Sequence, residues 1–190
     1  VTTYIGTLEF YNRKQKNLVI VINTLIYEWL TLTFANIGEL SVPVDINKQL
    51  ELCKSIARKA HINQFRHDKV TPYITHVEKV AKTVGKNKYL QCIAWLHDVV
   101  EDTHVSGNTL IVQGVESGIV ARVMTMTHYP RESYNVYIQR IRDTRLRGCV
   151  TVKIADIVSN LSDTPTPKQV VKYYKAIMVL GGIDEIIPYD

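Results

Sequence analysis

The residues of this chain that could do chemistry gather in two short segments. In the first, an apolar run from Cys92 to Leu96 ends in His97, Asp98, Val99, Val100, Glu101 and Asp102. Read as one helix turning about 100° per residue, the segment puts its four polar groups within an arc of roughly 140°. An imidazole and three carboxylates at the end of a core helix carry a heavy desolvation cost unless something offsets it, and a divalent cation is the simplest group that does. Imidazole and carboxylate without thiolate suit manganese, iron, zinc or magnesium. The other reading ends the helix by Val100 and leaves Glu101 and Asp102 as ordinary surface acids. The His-Asp pair alone does not choose between the two.

The second segment runs from Val150 to Leu161. With Lys153 as reference, a helical projection puts Asp156 and Asn160 within about 60° of it, while Val152, Ile154, Ala155, Ile157, Val158 and Leu161 cover most of the remaining circumference. A helix apolar nearly all round is usually buried, so its narrow polar stripe faces an internal site, where Asp156 would join His76, His97 and Asp98 as a fourth metal ligand. The alternative is a surface i,i+3 ion pair between Lys153 and Asp156, contributing roughly 0.2–0.5 kcal/mol.

These residues need helices to hold them. Asp45 is placed to cap a helix whose apolar positions Ile46, Leu50, Cys53, Ile56, Ala57 and Ala60 recur at three- and four-residue spacing. After a polar loop from His61 to Val70, Thr71 and Pro72 are read as N-cap and first-turn proline of a helix that buries Tyr73, Val77, Val80, Ala81 and Val84, with His76 at the edge of the stripe. Tyr89 to Val100 is read as a third, central helix. Gly107, Gly114 and Gly118 punctuate shorter helices leading to Met126. Glu132 to Arg142 reads as an exposed amphipathic helix, Val150 to Leu161 as a buried one, and Thr166-Pro167 opens a last helix closed by Gly181 and Gly182. The predicted architecture is all-α, a helical bundle over residues 45–182 followed by a tail over 183–190.

Composition narrows the class. With 190 residues and 46% apolar content, the chain can build one domain with a proper core. A net charge of +5 and a pI near 9.0 suit a phosphate-rich partner, although such a surplus is more often a solvated surface. Cys53, Cys92 and Cys149 are widely spaced in apolar stretches and read as buried free thiols of a cytoplasmic protein. Residues 1–44 read as an N-terminal extension without assigned role. Its apolar run from Leu18 to Phe34 is interrupted by Asn23, Thr24 and Glu28, so it falls short of a membrane span and fits a hairpin or a packed helix equally. The charged segment before it is not followed by a signal-peptide cleavage site. An initial Val also allows a true start further downstream, which the mass of the protein from its native host would decide.

Four segments in order carry a resemblance: Ala60-His61 with Gln64-Phe65-Arg66; Thr71-Pro72-Tyr73-Ile74-Thr75-His76; Ala94-Trp95-Leu96-His97-Asp98-Val99-Val100-Glu101-Asp102-Thr103; and Val152-Lys153-Ile154-Ala155-Asp156. Together, over roughly Ile46 to Leu180, they resemble the HD hydrolase domain of the RelA/SpoT family, above all its small stand-alone alarmone hydrolases of metazoan SpoT-like type. The resemblance implies an HD-domain helical bundle and a metal-dependent hydrolase that removes the 3′-pyrophosphate of guanosine tetra- or pentaphosphate, (p)ppGpp, in the stringent response. It implies that His76, His97, Asp98 and Asp156 hold one divalent ion, manganese, which acidifies water. Glu101 and Asp102 match the family's catalytic acids. Arg66 matches a loop arginine on the nucleotide, Asn160 a residue near the ribose and Tyr173 an aromatic lining the pocket, while Lys153 either meets phosphate or braces Asp156.

The chain departs from that pattern where phosphate is gripped. It has His67 where those enzymes commonly place Lys or Arg, a short loop over Asp68 to Val70, and no arginine in the stretch after Asn160. Two other readings therefore stand beside the first: an HD phosphohydrolase acting on another nucleotide, a nucleoside monophosphate or NADPH, and a non-catalytic nucleotide-binding module. The expected partner is a nucleotide, with neither nucleic acid nor membrane involved. His61, His104 and His128 read as helix-end or loop histidines instead of ligands.

Overall fold

The computed structural model describes residues 44–181, so the expectations for the N-terminal extension and for the tail from residue 183 lie outside the described residues. Nine helices make up the regular structure of the described part, and the only extended pairing within it is an isolated bridge between Phe65 and Pro72. The all-α bundle expected from the spacing is the architecture observed.

The first helix, α1 (Ile46–Ala60), starts where Asp45 accepts hydrogen bonds from the Asn47 and Lys48 amides, and it buries Leu50, Cys53, Ile56 and Ala57. Helix α2 (Ile74–Thr83) begins later than the Thr71-Pro72 signal predicts. The Thr71 hydroxyl, the expected cap, donates instead to Asp68 Oδ2 at 2.5 Å. The backbone on either side is held by Arg66 N–H to Thr71 O and by Tyr73 N–H to Gln64 O, both at 2.8 Å. With those groups engaged by the loop, the chain makes only i,i+3 turns from Pro72 and Tyr73, and the regular α-helix starts at Ile74.

Helix α3 (Lys88–Leu96) opens on an Asn87 cap and is buried over five consecutive residues, Cys92 to Leu96, which marks it as central. It does not run on to Val100 as the sequence suggests. His97 and Asp98 form a turn, and a separate single-turn helix, α4 (Val99–Asp102), follows. The cause lies in His97 itself, whose Nδ1 bonds to the Ala94 carbonyl at 2.7 Å. That carbonyl would accept the Asp98 amide in an unbroken α-helix.

Helices α5 (Gly107–Val112) and α6 (Ser117–Met126) are capped by Ser106 and Glu116. Helix α7 (Tyr134–Asp143) is capped by Ser133 and buries Tyr137, Ile138 and Ile141. Helix α8 (Cys149–Leu161) buries seven residues, among them Ile154, Asp156, Ile157 and Ser159. It starts at Gly148, whose φ of 94° lies in the left-handed region and whose missing side chain leaves room for Leu90 of α3. Helix α9 (Pro167–Leu180) has a capping box between Thr166 and Gln169 and ends at Gly181 with φ 115°, so both of its ends fall where the sequence placed them.

In the packing, α3 lies against α1, α2, α6 and α8, while α8 also meets α2, α7 and α9. Each fully buried Ile or Leu between them contributes about 1.5–3 kcal/mol. The three cysteines are buried and free, as their apolar settings implied. Among the described residues no helix is long and apolar enough to cross a membrane.

Candidate metal centre

Three helices bring one predicted ligand each, or a pair, to a single buried spot. His76 comes from the first turn of α2, His97 and Asp98 from the turn after α3, and Asp156 from the middle of α8. The ligand atoms of His76, His97 and Asp98 all lie within 4.8 Å of one another. Asp98 Oδ2 is 3.0 Å from His97 Nε2 and 3.6 Å from His76 Nε2. On the other side, Asp156 Oδ1 is 3.1 Å from His76 Nε2 and 3.7 Å from His97 Nε2. The four groups are thus brought together, with both imidazoles and Asp156 buried.

The outer contacts determine which ring nitrogens face inward. A carbonyl only accepts, so His97 Nδ1 must carry the proton it donates to Ala94 O, which in the neutral ring leaves Nε2 with its lone pair toward the carboxylates. His97 Nε2 is fully buried yet has no hydrogen-bond partner. His76 Nδ1 lies 3.0 Å from the hydroxyl of Ser159, which is able to accept its proton, and with that tautomer Nε2 faces inward in the same way. Two inward imidazole nitrogens and two carboxylates form a donor set that a divalent cation fits, and such a cation accounts for the orphaned lone pair.

The electrostatics agree. Burial alone would push both imidazoles down, but Asp98 and Asp156 raise them, His97 to about 10. Burial would likewise raise Asp98 and Asp156, yet the neighbouring imidazoles, and Lys153 for Asp156, hold both carboxyls well below their usual range. The pocket therefore demands positive charge, and a bound cation satisfies that demand while keeping the imidazoles neutral. Replacing Ser159 with Ala should weaken metal affinity about tenfold, because outer partners of a ligating histidine typically contribute about 10–100-fold. Metal-competition titration checks this, and an unchanged affinity would remove the hydroxyl from the account.

Of the two uses the sequence allowed Lys153, the structure displays bracing. Its Nζ donates to Asp156 Oδ2 at 2.7 Å with the side chain 12% exposed, and it lies 4.9 Å from the centre of the Tyr137 ring. Asn160 Nδ2 holds the other oxygen, Asp156 Oδ1, at 2.7 Å. Lys153→Met should destabilise the metal-stripped protein by about 3–5 kcal/mol, since it strands a buried carboxylate. Urea unfolding measures it, and a loss below about 1 kcal/mol would mean that Asp156 relaxes toward solvent.

Glu101 and Asp102 sit on α4, the turn that directly follows Asp98, and both are exposed. Burial of part of their surroundings, followed for Asp102 by the charge of Asp98, nevertheless raises both. Arg66 Nη2 bonds Asn160 Oδ1 at 2.8 Å and Asp163 Oδ2 at 2.9 Å, with its guanidinium 5.5 Å from the centre of the Tyr73 ring. Arg66, His67, Asp68, Thr71, Asp163 and Thr164 line a cavity of about 270 Å³. Tyr173 is half-buried on α9, and burial, then the charge of Asp156, raises its phenol.

Sequence reasoning missed several partners of these groups. The Tyr73 hydroxyl donates to Asp98 Oδ2 at 2.6 Å, and burial together with the Asp98 charge keeps that phenol protonated. In the sequence, Tyr73 reads as a core residue only. His61, at the end of α1, stacks on Tyr73 with centroids 4.9 Å apart, and its Nδ1 meets Gln64 Oε1 at 2.7 Å. Gln64 Nε2 in turn donates to Asp102 O at 2.8 Å. The backbone N–H of His128 donates to Glu101 Oε2 at 2.8 Å. Neither histidine is among the residues whose ligand atoms cluster with those of His76, His97 and Asp98.

No protein-family model and no curated protein matches the chain. Among solved structures, its fold is similar to that of a metazoan ortholog of SpoT that hydrolyzes ppGpp and plays a role in starvation responses. The TM-score is 0.62 at 24% identity, over 73% of this chain and 89% of that one. The chain shares that protein's helical fold.

Proposed function

We propose that this chain is a metal-dependent phosphohydrolase of the HD type and that its substrate is (p)ppGpp, from which it removes the 3′-pyrophosphate. The observation that carries the reading is the meeting of His76, His97, Asp98 and Asp156 at a buried imidazole nitrogen without a hydrogen-bond partner, with two exposed acids on the helical turn that follows Asp98. The shared fold with a protein that hydrolyzes ppGpp supports the choice of substrate. The four ligands would hold one divalent ion, manganese in this proposal, and it supplies Lewis acidity for water and phosphoryl oxygen.

The remaining roles fall to the chain's own side chains. Glu101, held by the His128 amide, takes a proton from the water that attacks the phosphorus bonded to O3′. The bond from that phosphorus to O3′ breaks, and Asp102, protonated at the start of the step, gives its proton to the departing O3′. GDP or GTP leaves with pyrophosphate, and solvent exchange returns both acids to their starting states. The raised pKa of both acids suits groups that take and return a proton. Arg66 faces the nucleotide from the 61–72 loop, with Asn160 and Tyr173 beside it.

One observation favours a second substrate. Asp163 already occupies Arg66, and Lys79 lies 3.8 Å from the same carboxylate, so a phosphate would have to displace an ion pair. That suits another phosphorylated nucleotide with fewer charges, such as a nucleoside monophosphate. A nucleotide panel with manganese, read by pyrophosphate and orthophosphate release, tests both. Pyrophosphate from ppGpp is expected; orthophosphate from another nucleotide would replace the substrate, and silence throughout would leave a binding module.

A further inference from the structure

We propose that Arg140 is a positioning residue for Glu101, acting through the loop between α6 and α7. The inference rests on the reading of Glu101 as the proton acceptor. Glu101 sits on a single helical turn, exposed, and among the described residues the His128 N–H is the one hydrogen bond its carboxylate receives. A glutamate so placed has several rotamers open to it, and one amide selects among them. Where that amide points depends on residues 127–133.

Arg140 fixes that loop from α7. Its Nε and Nη2 fork onto Glu132 Oε1 and Oε2, each at 2.8 Å. Its Nη1 donates to Thr125 O at 2.6 Å and its Nη2 to Thr127 O at 2.9 Å. The same guanidinium lies over Tyr129 at 5.1 Å and Tyr137 at 5.4 Å. Glu132 passes the constraint to His128, because its carbonyl accepts from His128 Nε2 at 2.8 Å, while the His128 ring packs on Tyr137 at 4.9 Å. Between them Arg131 is held at φ 71°, a conformation that costs a non-glycine residue about 1–2 kcal/mol and persists only where its surroundings enforce it. One guanidinium therefore anchors both ends of the segment that presents the amide to Glu101, at the residue directly after its Thr127 contact. Lysine keeps the charge but cannot hold a carboxylate and two carbonyls in one plane.

The test is a cycle of wild type, Arg140→Lys, Glu101→Gln and the double variant, all manganese-loaded and assayed on ppGpp. It is accompanied by amide spectra of 15N-labelled protein. Arg140→Lys is expected to lower kcat on the order of 100-fold, the effect of a misplacement of about 1 Å, with KM and metal content unchanged. In the Glu101→Gln background it should lower kcat less than about twofold, because the group it positions is already disabled. In the spectra, Arg140→Lys and Glu101→Gln should both shift the His128 amide. Glu132→Gln, a milder lesion in the same clamp, should reproduce both effects in weaker form. Additive losses in the double variant, a raised KM with unchanged kcat, or a His128 amide unmoved by Arg140→Lys would overturn the proposal. If wild type turns nothing over, the proposed function fails by itself, and the His128 amide still decides whether Arg140 controls the Glu101 contact.

Discussion

Asp98→Ala should yield a folded protein that neither retains a divalent ion nor turns over nucleotide. Asp98 Oδ2 faces both imidazole Nε2 atoms and is itself oriented by the Tyr73 hydroxyl, so its loss removes one of the four proposed ligands and a negative charge that would draw a cation inward. Metal catalysis of phosphoryl chemistry contributes several kcal/mol, and each ~1.36 kcal/mol is tenfold in rate, so kcat/KM should fall by roughly 1,000-fold or more. The remaining core is untouched, because Asp98 lies in a turn between helices and is 15% exposed. Metal content by mass spectrometry, circular dichroism and turnover should be measured on one preparation. Wild-type metal stoichiometry in the variant would sink the assignment of the ligand set, and a chelator should reproduce the loss in wild type, reversibly on adding manganese.

Glu101→Gln should separate the two layers of the site. The side-chain carbonyl of the introduced glutamine can still accept from the His128 amide, so the local geometry is kept while proton uptake is lost. General base catalysis typically contributes about 10²–10⁴-fold, and kcat should fall by about that amount with metal content at the wild-type level. If Glu101 were an ordinary surface acid, kcat would stay within about twofold of wild type, since surface substitutions away from a site change little.

Much of this arrangement could be read from residue order alone. Asp45 and Thr166-Pro167 give the starts of α1 and α9, because short-range capping depends only on neighbours in the chain. The narrow polar stripe of α8 identified Asp156, since a nearly all-apolar helix leaves its few polar groups only an interior to face. The interruption at His97 was not legible. It arises from a side chain competing for one carbonyl, a contest that helical periodicity does not register. The late start of α2 was lost for a similar reason, since Asp68 takes the Val70 and Thr71 amides and the Thr71 hydroxyl in a local turn that competes with the helix start. Tyr73 hid among core residues because its ring is half-buried while only its oxygen matters to Asp98. The amide of His128 carries no signature at all, as every residue but proline has one.

The stop at Leu96 also changes what surrounds the cation site electrically. Aligned peptide dipoles give a helix a partial negative charge of about half an electron at its C-terminal end. Had α3 continued, that pole would have emerged beyond Asp102, a full turn past the ligands. Ending where it does, the nine-residue helix discharges its carbonyl pole beside His97 and Asp98, adding to the pull of the carboxylates on any cation that enters.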